Sequence, residues 1–202
     1  MKEKVCIVDY GSGNQKSLFN LISYMNFDVI ISCEFNDIKN STHLLLPGVG
    51  SYPSVMKKLR EKNLINVLSE QVLIKKKPFL GICVGMQILS TKGLEFYETD
   101  GLNWIQGEVR LLSTNLKMPH IGWNNIKIIN SGLDLKINNF DFYFLHSYVF
   151  DVINKSEVIA ITEYGEYFPS IVNKENIWGF QFHPEKSQVA GQLILKNFFN
   201  SN

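Results

Sequence analysis

Through the first half of the chain, short unbroken apolar runs alternate with longer stretches whose apolar residues recur at helical spacing. Val5 to Val8, Val29 to Ile31, Leu44 to Leu46 and Pro78-Phe79-Leu80-Gly81-Ile82 are the short runs, long enough for buried strands and too short for helices. Between them the periodicity predicts a helix from about Ser17 to Met25 and a helical stretch through Ile74, marked by Leu64, Ile65, Val67, Leu68 and Val72. Strands alternating with helices predict a parallel, doubly wound α/β sheet. The second half is richer in short strands, at Glu108 to Leu112, Asn124 to Ile128, Phe142 to Leu145, Val158 to Thr162 and Ile177 to Phe182. A final helix around Val189 to Phe199 packs back through Leu193, Ile194, Phe198 and Phe199. No repeat, low-complexity tract or linker interrupts this order, so residues 1–202 are expected to form one domain with a mostly parallel central sheet and added antiparallel strands.

Chemistry concentrates where two of these strands end. Gly81-Ile82-Cys83-Val84-Gly85-Met86, followed by Gln87, places a cysteine on a sharp turn between the strand ending at Ile82 and a helix expected to run on through Ile88 and Leu89. Glycine two places before and after the sulfur frees the turn of side chains, so Cys83 can take a strained backbone and project outward as a nucleophile. A helix N-terminus there stabilises a thiolate and offers amides to an oxyanion. Far along the chain, Gln181-Phe182-His183-Pro184-Glu185 supplies a base and an acid. Pro184 pushes His183 into an extended backbone, in which positions i and i+2 share a face, so Glu185 can fix the imidazole of His183 as it takes the thiol proton. In an open α/β sheet, ligands bind at the carboxyl ends of the strands, where both Cys83 and His183 fall. Gln87, one helical turn beyond Cys83, is expected to border the sulfur.

The chain resembles the class I (triad-type) glutamine amidotransferases, whose elbow reads Gly-x-Cys-x-Gly-x-Gln and whose base–acid pair reads His-Pro-Glu. More narrowly it is similar to the glutaminase subunits of imidazole glycerol phosphate synthase. The likeness runs through Asp9-Tyr10-Gly11-Ser12-Gly13-Asn14, Pro47-Gly48-Val49-Gly50, the Cys83 elbow, Pro119-His120-Ile121-Gly122-Trp123-Asn124, Phe144-Leu145-His146-Ser147-Tyr148 and His183-Pro184-Glu185-Lys186-Ser187. It implies a flavodoxin-like α/β fold and a Cys83–His183–Glu185 triad that releases ammonia from L-glutamine. It also implies an oxyanion hole from Val49 or Gly50 opposite Val84, with the Val49 loop turned by a partner. Glutamine contacts would come from Gln87, Glu95, Ser147 and Tyr148. The implied partner is a cyclase-type (β/α) barrel synthase, docked on Asn14, Trp123, Tyr143 and Lys186. The chain departs from the family at Gly101-Leu102-Asn103-Trp104-Ile105-Gln106-Gly107, and at Gln15, where an aliphatic residue is usual. These departures keep open a related role, feeding ammonia to a barrel synthase that amidinates a sugar for surface polysaccharide.

Composition narrows the remaining classes. A formal net charge of +1 and no basic stripe give no support for a nucleic-acid or acidic-membrane partner. Lys75-Lys76-Lys77 follows a helical pattern and is expected to be a solvated helix end. Three cysteines without Cys-x-x-Cys spacing suit a reduced, cytoplasmic setting, and the apolar run after Lys4 is too short for a secretory or membrane segment. The four histidines form no ligand cluster in sequence, so no metal is expected. Lys16 stands where a dinucleotide fingerprint needs its third glycine after Gly11 and Gly13, so no nicotinamide or flavin cofactor is expected.

Overall fold

The computed structural model describes residues 3–11, 15–130 and 140–200. The first half runs β1 (Lys4–Val8), α1 (Gln15–Tyr24), β2 (Asp28–Ser32), α2 (Phe35–Asn40), β3 (His43–Gly48), α3 (Tyr52–Glu61), α4 (Leu64–Ser69), a π-helical turn (Glu70–Ile74), β4 (Phe79–Cys83) and α5 (Val84–Gln87). The second half adds β5 (Lys92–Gly93), β6 (Thr99–Asp100), β7 (Gly107–Leu111), β8 (His120–Asn125), β9 (Lys127–Ile128), β10 (Asp141–His146), β11 (Tyr148–Val152), β12 (Val158–Glu163), β13 (Tyr167–Lys174), β14 (Ile177–Phe180) and α6 (Gln188–Asn200).

Strands β3 and β4 are buried at every position, as expected for the middle of a parallel sheet covered by helices on both faces. They lie in an eight-stranded sheet of order β2-β1-β3-β4-β14-β13-β12-β9. The first five pair in parallel, which is the doubly wound 2-1-3-4-5 order, and the last three extend it antiparallel. Strand β10 instead alternates exposed or half-buried with buried positions and, among the described residues, pairs only with β8. The inward face of β10 meets the main sheet through aromatic rings: Phe182 lies 4.1 Å from Phe142 and 5.3 Å from Phe180 between centroids. Register then decides where the chemistry sits. Gly48 at the end of β3 is level with Cys83 at the end of β4, and Phe180 at the end of β14 is level with Ile82.

The expected α/β order is present, with several corrections. The strand read across Asn124 to Ile128 is two strands in different sheets, because buried Ile126 turns inward where β8 leaves β10 and β9 joins β12. The strand read to Phe182 stops at Phe180, and the helical stretch through Ile74 is broken by Asn63 in the left-handed region. Helix α2 and strands β5, β6, β11 and β13 add to the elements that the hydrophobic pattern predicts: β5 and β6 have only two residues each, and α2 has six. Lys75-Lys76-Lys77 is more than a solvated end. Lys76 pairs with Glu175 at 2.6 Å, and Lys77 donates to the carbonyls of Ile38 and Lys39 in the last turn of α2, beside the Ser41 hydroxyl that also donates to Ile38 O. Gln15 is buried and its amide donates to Val8 O and to Asp9 Oδ1, so a polar residue fits the position usually held by an aliphatic one. Among the described residues, no helix is long and apolar enough to cross a membrane.

The elbow after β4 can lie against β3 only because three glycines let backbone touch backbone. A Cβ on Gly85 would collide with the carbonyl oxygen of Leu46, and one on Gly81 with the carbonyl of Gly85. Gly85→Ala is therefore expected to cost about 3 kcal/mol, the upper part of the overpacking range. In thermal unfolding that is a fall in Tm of roughly 6–12 °C for a chain of this size, and an unchanged Tm would show that the elbow relaxes freely.

Candidate active site

Cys83 closes β4 with φ 56° and ψ −114°, a conformation outside the regions ordinarily open to a side chain. Such strain, of order 1–3 kcal/mol, persists only where the surroundings enforce it, and here β3, β4 and the glycine contacts do so. The helix that follows is one turn, Val84–Gln87, and does not continue through Leu89. Gly101 to Ile105 draws the chain away: Leu102 N–H bonds Ile88 O, and Trp104 and Ile105 both donate to Leu89 O. A single turn carries little macrodipole, so any stabilisation of a thiolate must come from nearby donors.

His183 and Cys83 are both buried, and so is the His183–Glu185 pair, with Nδ1 to Oε1 at 2.8 Å. Cys83 and His183 interact electrostatically, and with Nδ1 taken by Glu185 it is Nε2 that is left for the sulfur. Glu185 does not follow His183 in an extended segment. His183 is extended, but Pro184–Lys186 coils into a short 3-10 turn that swings the carboxylate back to the ring. Burial pulls the imidazole towards neutrality, but the hydrogen bonds and charges of Cys83 and Glu185 outweigh it and lift its pKa to about 10. The turn is anchored to β10: His183 N–H donates to Tyr143 O, Tyr143 N–H donates to Ser187 Oγ, and that hydroxyl donates to His183 O.

A cavity of about 260 Å³ opens over the sulfur and is lined by Val49, Gly50, Val84, Gln87, Glu95, Ser147, Tyr148 and His183, together with Gly48, Pro119, Leu145 and His146. Every residue read from the sequence as glutamine-binding or oxyanion-binding therefore meets in one place. Gly50 has φ +110°, a backbone state natural to glycine, at the bend where the loop leaves β3. Glu95 is held by Tyr52 N–H, 2.7 Å from Oε2, and burial raises its pKa. Gln87 does not offer its amide hydrogens to the sulfur. Both are taken, by Tyr148 O at 2.8 Å and Gln181 Oε1 at 3.1 Å.

Three residues in and behind the wall were not singled out from sequence as site residues. Gln181 is fully buried, with Nε2 3.9 Å from Cys83 Sγ. His120 and His146 share a hydrogen bond of 3.1 Å, and burial lowers both, to about 4 and about 3. Gln181 sits two residues before His183, and that spacing was the only available signal. Among the described residues, no three His, Cys, Asp or Glu side chains are grouped to hold a metal.

The residues read as a docking face sit apart from the cavity. Trp123 and Tyr143 face each other across β8 and β10 with centroids 6.0 Å apart, and Lys186 Nζ lies 5.3 Å over the Tyr143 ring. Trp123 is 49% exposed. Asn14 lies outside the described residues.

Comparisons with known proteins find relatives along nearly the whole chain. The chain is 41% identical over 202 residues to imidazole glycerol phosphate synthase subunit HisH 2 of Vibrio vulnificus, covering 98% of this chain and 94% of that one. It is 44% identical over 200 residues to subunit HisH of Leptospira interrogans, covering 95% and 97%. Subunit HisH 2 of Methanococcus maripaludis is 43% identical over 198 residues, covering 96% and 98%. A crystal structure of a glutamine amidotransferase shares the fold with a TM-score of 0.78 at 16% identity, covering 97% of each chain. The glutaminase domain of Trypanosoma brucei CTPS, solved with acivicin, shares it at 0.64 and 13% identity, covering 99% of this chain and 93% of that one. A profile of the family described as Glutamine amidotransferase class-I matches residues 6–202, and on that match and these relatives the chain belongs to the class-I glutamine amidotransferases.

Proposed function

We propose that this chain is the glutaminase subunit of an imidazole glycerol phosphate synthase in histidine biosynthesis, hydrolysing L-glutamine through Cys83 and passing ammonia to a cyclase-type (β/α) barrel. The observation that carries the reading is the juxtaposition of a strained cysteine, an imidazole and a buried carboxylate at one end of the sheet. The Cys83 thiolate attacks the carboxamide carbon of glutamine. Amides of Val84 and of the Val49–Gly50 loop receive the oxyanion, and His183 gives its proton to the nitrogen as the C–N bond breaks. Water then attacks the thioester, with His183 now taking the proton, and glutamate leaves as the thiol re-forms. Ser147, Tyr148, Gln87 and Glu95 hold the amino-acid end of the substrate in the cavity.

Gln87 serves through its carbonyl oxygen, since its N–H groups are engaged. Glu95, with one oxygen held by Tyr52 N–H, presents the other to the substrate ammonium. Ammonia released into bulk water would be protonated and lost as a nucleophile, so the site needs a covering partner. Trp123, Tyr143 and Lys186, with Asn14, are the proposed docking face.

A glutamine-analogue diazoketone is expected to add its mass to Cys83, and Cys83→Ala to abolish both the adduct and glutaminase activity; an adduct elsewhere, or none, would overturn the reading. Glu185→Gln is expected to lower kcat by about 10²–10⁴-fold through loss of the oriented base, measured by glutamate release in the presence of the barrel.

The charge state of His183 gives a pH test. Its raised pKa keeps the imidazolium in place from neutral pH to about pH 10. The stabilisation it lends is full below the ordinary histidine range and lost as pH climbs through the folded value. An NMR titration of labelled imidazole should put the midpoint well above 6.5, with Cys83→Ser and Glu185→Gln each lowering it; a wild-type midpoint at or below 6.5 would contradict the ion pair.

Coupling separates the two pathways. Ammonia transfer from glutamine to the phosphoribosyl-formimino intermediate, with the cell's own histidine cyclase, is the expected result. No transfer would favour a barrel that amidinates a sugar, the reading suggested by the divergent segment Gly101 to Gly107. Trp123→Ala should weaken barrel binding by more than about tenfold, as truncating an exposed aromatic anchor does at interface hot spots, measured by calorimetry.

A further inference from the structure

Resting on the glutaminase reading above, we propose that Gln181 is an auxiliary donor to the Cys83 thiolate, and that the wall of the site is wired so that this amide can present only its N–H side to sulfur. The wiring starts at Tyr148 O, which accepts from His146 Nδ1 at 3.0 Å and from Gln87 Nε2 at 2.8 Å. A carbonyl donates nothing, so His146 carries its proton on Nδ1 and Gln87 points its NH2 group at Tyr148. The second Gln87 hydrogen then goes to Gln181 Oε1 at 3.1 Å. With its oxygen committed to Gln87, Gln181 turns its NH2 towards Cys83 Sγ, 3.9 Å away. Each orientation forces the next.

The far side of Tyr148 follows the same logic. His146, neutral and protonated on Nδ1, leaves Nε2 as an acceptor, so His120 must donate to it from Nδ1 across 3.1 Å. His120 Nε2 then accepts from Asn124 Nδ2 at 3.3 Å. Burial keeps both rings neutral at physiological pH, which this directional chain requires, since an imidazolium at either place would set two donors against one another. His120 is wedged between Phe144 and Tyr164, at centroid distances of 4.9 and 4.0 Å, so the ring cannot flip without breaking both stacks.

Sulfur needs such a donor here. Helix α5 has one turn, and the strong positive neighbour, His183, surrenders its proton to the leaving nitrogen during the reaction. A neutral amide that donates throughout the cycle steadies the thiolate as it forms and as it is expelled from the thioester.

Two substitutions separate this role from packing. Gln181→Glu keeps the shape and the acceptor for Gln87 but replaces the donor with an oxygen, and Gln181→Met keeps the volume without either polar group. With the glutamine-analogue diazoketone on the full chain, both are expected to lower the maximal rate of Cys83 capture by about tenfold, with the half-saturating concentration changed by less than about twofold. A packing defect would move the half-saturating concentration along with the rate, so wild-type capture kinetics in either variant overturn the inference. Should either variant fail to fold, NMR of the wild-type chain decides: the Gln181 side-chain amide resonances are expected to shift on Cys83 adduct formation, and unmoved resonances overturn it. Failure of the wild-type chain itself to form the adduct would instead sink the glutaminase reading.

Discussion

The site depends on how closely two main chains can approach at the ends of β3 and β4. Gly85 lies against Leu46 O, Gly81 against the Gly85 carbonyl, and Gly48 against Gly85 N–H, with no side chain between them. This contact holds Cys83 at positive φ, sets the sulfur at the mouth of the sheet and brings Gly48, where the Val49–Gly50 loop begins, level with Cys83. Strain at one residue is stored by the many contacts of its neighbours, the arrangement expected where backbone geometry serves chemistry.

Burial pulls all three histidines around this point towards neutrality, and their neighbours decide whether it wins. His183 is lifted because it faces a thiol and a carboxylate, whereas His120 and His146, facing neutral donors and acceptors, are driven down. One cluster thus contains a charged ring poised to transfer a proton and two neutral rings that serve as fixed connectors. The two neutral rings pack in an aromatic cluster with Phe144 and Phe168, while the charged one lines the cavity.

The parallel half of the fold was legible in the sequence because buried parallel strands are continuous apolar runs, and Val5 to Val8, Leu44 to Leu46 and Phe79 to Ile82 have no competing pattern. The elbow and the His-Pro-Glu tract stood out because glycine widens, and proline narrows, what the backbone can do locally. What could not be read was set by distant contacts. Two-residue strands such as β5 and β6 carry no periodicity, α5 ends early because a later loop claims its carbonyls, and Ile126 splits one apparent strand between two sheets. Gln181 was invisible for the same reason, since its meaning lies in partners ninety-odd positions away, at Gln87 and Cys83. The turn at Pro184–Lys186 brought Glu185 to His183 by a different path from the extended one that i, i+2 spacing suggests.

The tie between the base and β10 is made by main-chain atoms and one serine: His183 N–H to Tyr143 O, Tyr143 N–H to Ser187 Oγ, and that hydroxyl to His183 O. Tyr143 thus lends its peptide group to the reaction centre and its ring to the outer surface. Under the proposed docking, a lineage that exchanged one synthase for another could redraw the ring while keeping the peptide in register. Side-chain replacement on this strand would then change the partner alone, while an insertion or slip in it would dismantle the turn that carries His183 as well.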